Sequence, residues 1–307
     1  MVEGTEWSRA DAAAFLRVPT SRDDKYSRGV VGLRTGSERY PGAAVLGVEG
    51  AWRAGAGMVR YVGPARDLVL ARRPETVAVD GRVQAWVIGS GTDAAVRAPA
   101  ETEALRALLA GEVPVVVDAG ALDLASAAAA PIVVTPHAGE HRLLRERLGL
   151  PVSPGVPGGA ARGGTDRAES DGGGADRVEV AQAEADRAEA ALGTARALGA
   201  TVLLKGATTV VASPDGRVRT VTAPTSWLAT AGTGDVLAGV LGALVAAGGD
   251  LPGAAATAAW IHGRAGAAAS AARGGGPLVA LEVAEHVASV VGGLLTGSAE
   301  GAGRPTP

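Results

Sequence analysis

The sequence predicts an α/β protein: one layered α/β/α domain around a central, mostly parallel sheet. Short runs of Val, Ile and Leu alternate along the chain with longer runs rich in Ala and Leu, the signature of repeated βα units. The short runs are apolar at every position rather than at every second one, as strands covered on both faces require. Hydrophobic residues make up 47% of the 307 residues and aromatic ones only 3%, so the core must be built from Ala, Val and Leu packed in layers.

The expected strands are Val30-Val31-Gly32-Leu33, Met58 to Val62, Trp86-Val87-Ile88, Val115-Val116-Val117, Ile132-Val133-Val134 and Val202-Leu203-Leu204. Helices are expected over Ala43 to Ala54, Pro99 to Ala110, Gly139 to Leu148 and Asp176 to Leu198, with charges opposite the apolar stripe in the middle two. Thr209 to Ser213 and Arg217 to Val221 read as a hairpin across Pro214-Asp215-Gly216, a strong turn signal. Three helical stretches follow, near Asp235 to Ala247, Gly253 to Arg273 and Val279 to Leu295. Residues 151–175, mixing Pro, Gly, Asp and Arg, read as a low-complexity, disordered insertion rather than a domain boundary, because the same alternation resumes after them. The organisation expected is an N-terminal extension over 1–24, a single domain over 25–296 and a flexible tail over 297–307.

A formal net charge of -3 offers no basic field to nucleic acid. The absence of cysteine closes thiolate catalysis, disulfide scaffolds and Cys-ligated zinc. The first residues carry charges and no apolar h-region, and the apolar stretch Val236 to Ala247 is too short to span a bilayer, so a cytoplasmic protein without membrane contact is expected. Of 29 basic residues only Lys25 and Lys205 are lysines, which makes each of them worth a question.

Five stretches carry candidate chemistry. In Gly232-Thr233-Gly234-Asp235, two glycines precede an apolar helix, where backbone N–H groups can form an anion loop. Asp235 beside a phosphate could accept a proton from an incoming hydroxyl, although taken alone it reads more readily as a helix cap. Lys205 ends a strand and opens Gly206-Ala207-Thr208-Thr209; at the carboxyl edge of an open sheet its ammonium can meet a phosphate, but the spacing is not that of a P-loop. His137, in Thr135-Pro136-His137-Ala138-Gly139-Glu140, sits between strand and helix and can equally be a local hydrogen-bonding residue. His137 and His141 lack the H-E-x-x-H arrangement, and no metal site is expected from protein ligands. Gly89-Ser90-Gly91 follows a strand but is a weak dinucleotide fingerprint, since no helix starts at the loop. Gly42, Ala43 and Ala44 at a helix start permit close approach by a ligand or by another layer of the protein.

Taken in order, Lys25-Tyr26-Ser27-Arg28-Gly29, Tyr40-Pro41-Gly42-Ala43-Ala44, Arg53-Ala54-Gly55-Ala56-Gly57, Gly89-Ser90-Gly91, Asp118-Ala119, Thr135-Pro136-His137, Lys205-Gly206-Ala207 and Gly232-Thr233-Gly234-Asp235 give a chain that resembles the ADP-dependent (S)-NAD(P)H-hydrate dehydratases. The resemblance spans about Lys25 to Leu295 and implies a ribokinase-like fold. It implies that Ala44, Gly91, His137 and Asp235 border a hydrated NADH or NADPH. Lys205, Gly206, Ala207, Thr208, Thr209 and Gly234 would hold ADP, or ATP, with Mg²⁺ as its charge partner. Asp235 would be the general base in a dehydration that restores NAD(P)H and releases AMP and phosphate.

Three departures from the family pattern stand out. Gly89-Ser90-Gly91-Thr92-Asp93 replaces the usual Gly-Pro-Gly-Leu-Gly, Ala138 replaces a proline, and Gly120 follows Asp118-Ala119 where a second Asp is common. Fewer than 30 residues precede the first expected strand, too few for the N-terminal epimerase domain that the family often carries, so action alongside a separate NAD(P)H-hydrate epimerase is expected. The resemblance also implies a homo-oligomer, with a tetramer as the expected form. The rival readings are a kinase for a small alcohol such as a vitamin precursor, and a catalytically silent nucleotide-binding sensor.

Overall fold

The computed structural model describes residues 4–152 and 175–299. In chain order the elements are β1 (Thr5–Glu6), α1 (Arg9–Phe15), β2 (Val30–Arg34), α2 (Gly42–Arg53), β3 (Met58–Tyr61), α3 (Arg66–Arg72), β4 (Ala85–Ile88), α4 (Pro99–Leu109), β5 (Val115–Val117), β6 (Ile132–Val134), α5 (Ala138–Arg147), α6 (Ala175–Leu198), β7 (Thr201–Leu204), β8 (Thr208–Ala212), β9 (Val218–Thr222), α7 (Thr233–Ala246), α8 (Leu251–Ala271) and α9 (Ala280–Ala299). Short 3-10 helices span Ala119–Ala127 and Ser226–Leu228.

Nine strands form one sheet in the order β1-β9-β8-β7-β6-β5-β4-β2-β3. All pairs are parallel except those of the β7-β8-β9 meander. The expected strands are in place because each central run has no polar residue to spare for solvent: β4, β5, β6 and β7 are buried along their whole length. Their side chains divide between two cores. Val31, Leu33, Val87, Val116, Val133 and Leu203 face α2, α7, α8 and α9, while Ile88, Val117, Val134 and Leu204 face α4, α5, α6 and the first 3-10 helix. This is the three-layer α/β/α arrangement.

Two boundaries differ from the sequence expectation. The first strand is Thr5–Glu6 rather than the Val30 run: β1 extends the sheet by pairing with β9, Thr5 opposite Arg219, and α1 packs Ala12 into the core behind a Ser8–Asp11 capping box. An exposed two-residue strand has no hydrophobic alternation to reveal it. At the other end α9 runs to Ala299, past Leu295. Of the expected insertion over 151–175, residues 153–174 lie outside the described residues, as do 300–307 of the expected tail.

Helix α7 is the central helix, with twelve of its fourteen residues buried, and it lies against α2 by glycine contacts. A Cβ on Gly239 would run into the Gly47 carbonyl, and one on Gly50 into the Val236 carbonyl. Removing those side chains lets the two helices approach closely and fixes where α7 begins. No helix among the described residues is long and apolar enough to cross a membrane.

Candidate active site

Four adjacent strands, β4 to β7, end side by side, and the residues that follow them meet at Asp118. The Asp118 carboxylate, 2% exposed, accepts hydrogen bonds from Ser90 Oγ (2.8 Å) after β4, from Thr135 Oγ1 (2.7 Å) after β6 and from Lys205 Nζ (3.0 Å) after β7. Burial works to raise its pKa; the Lys205 charge and the three hydrogen bonds outweigh it and hold Asp118 below the usual carboxylate range. Ala119, next in the chain, has φ 44, the one positive φ at a non-glycine residue among the described residues. It turns the backbone from β5 into the 3-10 helix and so aims Asp118 along the strand ends.

Lys205 is held from several sides. Its ammonium lies 3.7 Å from Glu140 Oε2 as well as beside Asp118, and its backbone N–H donates to Pro136 O (2.8 Å). Burial would lower its pKa, but the charges of Asp118, Glu140 and Asp235 raise it, so it remains an ammonium. Behind it, Arg187 of α6 donates to the Lys205 and Thr208 carbonyls at 3.2 and 3.0 Å, bracing the loop that follows β7. Lys25, by contrast, precedes β2 at the amino edge of the sheet and rests over the Tyr26 ring.

The Gly232-Thr233-Gly234-Asp235 loop opens α7 beside Lys205. Gly232, the N-cap of α7, has φ 89, a left-handed conformation that glycine adopts without penalty. Thr233 Oγ1 donates to the Leu228 and Thr230 carbonyls, both at 2.9 Å, and so pins the turn. Asp235 lies in the first turn of α7, three residues after the N-cap Gly232, and makes no side-chain capping hydrogen bond. Burial and then the Asp118 charge push Asp235 up to about 7, against the opposing pull of Lys205. No hydrogen bond contributes to holding its charge.

Of the residues singled out in the sequence, Lys205, Gly234 and Asp235 come together: a Cβ built on Gly234 would stand 3.6 Å from Lys205 Nζ. His137 caps α5, its Nδ1 accepting from Gly139 N (3.0 Å) and Glu140 N (3.2 Å), which leaves Nε2–H at an exposed ring. Through Glu140 it adjoins Lys205. Gly91 (φ 68) and Ala44 sit beyond β4, where Gly91 presses on Ala43 and the Tyr40 carbonyl, and the fully buried Ala44 methyl lies against Gly36. In the loop after β7, Gly206 has room only for Arg187, the Ala207 carbonyl accepts from Ala223 N, the Thr208 hydroxyl donates to Glu184 (2.9 Å), and Thr209 is buried. Two participants escaped the sequence reading: Asp118 as the hub of the strand ends, and His262 of α8, whose ring lies beside the Thr233 backbone. The spacing Thr135-Pro136-His137 after Asp118 hinted at the first; nothing local marked the second.

Among the described residues no group of three or more His, Asp or Glu converges to hold a metal ion. A divalent ion here would be held mainly by a nucleotide's phosphates, as Mg²⁺ commonly is.

The family model described as NAD(P)H-hydrate dehydratase matches residues 31–287, which include Ser90, Asp118, Thr135, Lys205 and Asp235. The chain belongs to the NAD(P)H-hydrate dehydratase family. It is 41% identical over 299 residues to the bifunctional NAD(P)H-hydrate repair enzyme Nnr of Mycobacterium leprae, covering 93% of this chain and 55% of that protein. It is 31% identical to the ADP-dependent (S)-NAD(P)H-hydrate dehydratase of Xanthomonas campestris pv. campestris, covering 84% of this chain and 87% of that protein. The chain spans about half the length of the bifunctional relatives it matches. In fold it resembles the ADP/ATP-dependent NAD(P)H-hydrate dehydratase of Bacillus subtilis co-crystallized with ATP/Mg²⁺, with a TM-score of 0.76, 24% identity and coverage of 96% and 100% of the two chains. The architecture of this NAD(P)H-hydrate dehydratase family member is thus ribokinase-like, as the ordered motifs imply.

Proposed function

We propose that the protein dehydrates the S form of hydrated NADH or NADPH at the expense of ADP, restoring the dihydronicotinamide and releasing AMP and phosphate. The observation that carries this reading is the opposite state of two neighbouring carboxylates. Asp118 is saturated with hydrogen bonds and stays charged, while Asp235, at the anion loop, is raised to about 7 and is poised to exchange a proton near neutrality.

The loop Gly232-Thr233-Gly234 and the Lys205 ammonium hold the terminal phosphate between them, and Asp118 and Glu140 fix the ammonium in place. Asp235 takes the proton of the C6 hydroxyl of the hydrated ring as that oxygen bonds to the terminal phosphorus and the bond from phosphorus to the AMP oxygen breaks. The C–O bond of the phosphorylated ring then breaks with the electron pair leaving on phosphate, and loss of a proton from the adjacent ring carbon re-forms the double bond. Mg²⁺ bound with the nucleotide supplies neutralisation of phosphate charge. His137, Gly91 and the Gly42–Ala44 turn stand along the path of the remainder of the dinucleotide, and the Lys205 to Thr209 loop borders the nucleotide.

Incubating the protein with hydrated NADH, Mg²⁺ and ADP tests the reading: dihydronicotinamide absorbance should return in step with phosphate release. Absorbance that stays flat with both ADP and ATP, together with a stable phosphate ester on a vitamin-precursor alcohol, would replace it with the kinase reading.

A further inference from the structure

All four histidines of the chain lie among the described residues, and three have evident partners. His137 caps α5, the buried His141 shares a hydrogen bond with Thr194 Oγ1 (2.9 Å), and His286 Nδ1 contacts the Glu282 carbonyl (2.9 Å). His262 is different. It is 8% exposed on α8, and its Nε2 is buried without a hydrogen-bond partner. Thr35 Oγ1 is the other buried side-chain atom in that condition among the described residues.

Position gives the unpaired Nε2 its meaning. Burial works to lower the His262 pKa, a hydrogen bond with the Thr233 backbone to raise it and the Lys205 charge to lower it, which sets the ring against the start of α7. The same face of α8 supports the segment that leads into the anion loop: Gly263 meets Ala223 and Pro224, and Gly266 meets Leu228. Burial lowers the His262 pKa to about 4, so the ring is neutral and places no second cation beside Lys205. A buried polar atom left unpaired disfavours folding, and in a native protein such an atom calls for a role.

We infer that His262 is a positioning residue for the nucleotide: its Nε2 gains a hydrogen-bond partner when a nucleoside diphosphate draws in the Leu228–Gly234 loop, so that phosphate binding and the seating of the loop are one event. The inference rests on the nucleotide-binding part of the proposed function. It makes the ring unfavourable to the empty protein and favourable to the loaded one.

The test uses ADP as the probe and two measurements. In the wild-type protein with ¹⁵N-labelled histidine, the His262 Nε2 resonance should shift on saturation with ADP and Mg²⁺, while those of His141 and His286 stay in place. In calorimetric titrations His262→Leu should weaken ADP binding roughly tenfold, about what one hydrogen bond in a desolvated site is worth, with a Tm equal to or above wild type. His262→Gln, which can put an amide near the Nε2 position, should recover most of the affinity. A His262 resonance that ignores ADP, or a folded Leu variant with wild-type affinity, overturns this inference alone. A wild-type protein that does not bind ADP overturns it together with the functional reading, which separates the two failures.

Discussion

Glu49 and Asp235 are both carboxylates withdrawn from water, on the paired helices α2 and α7, and their surroundings treat them oppositely. Glu49 is wholly buried and accepts from Arg53 Nε (2.8 Å), Arg72 Nε (2.7 Å) and Arg73 Nε (2.9 Å). Burial would raise its pKa, but hydrogen bonds from Arg73, Arg53 and Arg72 hold it below the ordinary value. Asp235 has burial and the Asp118 charge against it and only the pull of Lys205 in its favour, so it stands at about 7. The first carboxylate ties α2 to α3 through its arginines; the second is left without a hydrogen-bond donor in the first turn of α7. Depth of burial alone would predict the reverse, since Glu49 is wholly buried and Asp235 only partly; the supply of donors separates them. Where every lone pair is occupied a charge becomes structure, and where none is it remains available for chemistry.

The two should respond to pH with opposite signs. The folded pKa of Asp235 lies above its unfolded value, so its favourable contribution is complete below about 3.8 and is lost as pH rises through about 7. Glu49, depressed on folding, stabilises above its unfolded value near 4.5 and loses that effect as pH falls through its folded pKa.

The strongest way to break the comparison is Asp235→Asn. Turnover should fall on the order of 10²–10⁴-fold, the usual worth of a general base, in the absorbance assay with hydrated NADH. The melting temperature of the same variant should exceed wild type by more at pH 8 than at pH 5, because the charge that is removed is present only at the higher pH. Next in size, Glu49→Gln leaves three guanidiniums without their anion and should cost about 3–5 kcal/mol in urea unfolding, with kcat of the folded protein retained. If that variant instead lost turnover at unchanged stability, Glu49 would belong to the chemistry and the contrast would collapse. Asp118→Asn sharpens the comparison from the other side: removing the charge that helps raise Asp235 should move the acid limb of the kcat profile to lower pH, with a stability loss of about 1–3 kcal/mol from the weakened hub. The smallest effect belongs to Ala119→Gly, which relieves the positive φ after β5 and should raise the urea midpoint by up to about 1 kcal/mol in stability.

The parts legible in the sequence share a physical property: their signal is local. β4 to β7 announce themselves because burial on both faces demands unbroken Val, Ile and Leu, and the hairpin announces itself through Pro214-Asp215-Gly216. Lys205 and Asp235 were legible because a rare lysine and a glycine loop stand out in their own neighbourhoods. The Asp118 hub was not, because its donors lie 17, 28 and 87 residues away in the chain and only the parallel register brings them to one carboxylate. His262 was hidden by an Ala- and Gly-rich helix whose pattern says only that it is buried. Glu49, embedded in the apolar run of α2, reads as a charge on a helix until α3 supplies Arg72 and Arg73.

The burial of α7 has a consequence for motion. A helix packed on every side is drawn from the part of a domain that opens only with global unfolding, whereas the solvent-exposed Trp227 and its neighbours belong to the part that opens locally. Amide exchange should therefore be slowest along Val236–Val245 and fast at Ser226–Thr230, a boundary only a few residues wide. Asp235 stands on that boundary. On the proposed function, a nucleotide would enter and leave by local opening of the segment before it while the proposed proton acceptor keeps the rigidity of the core.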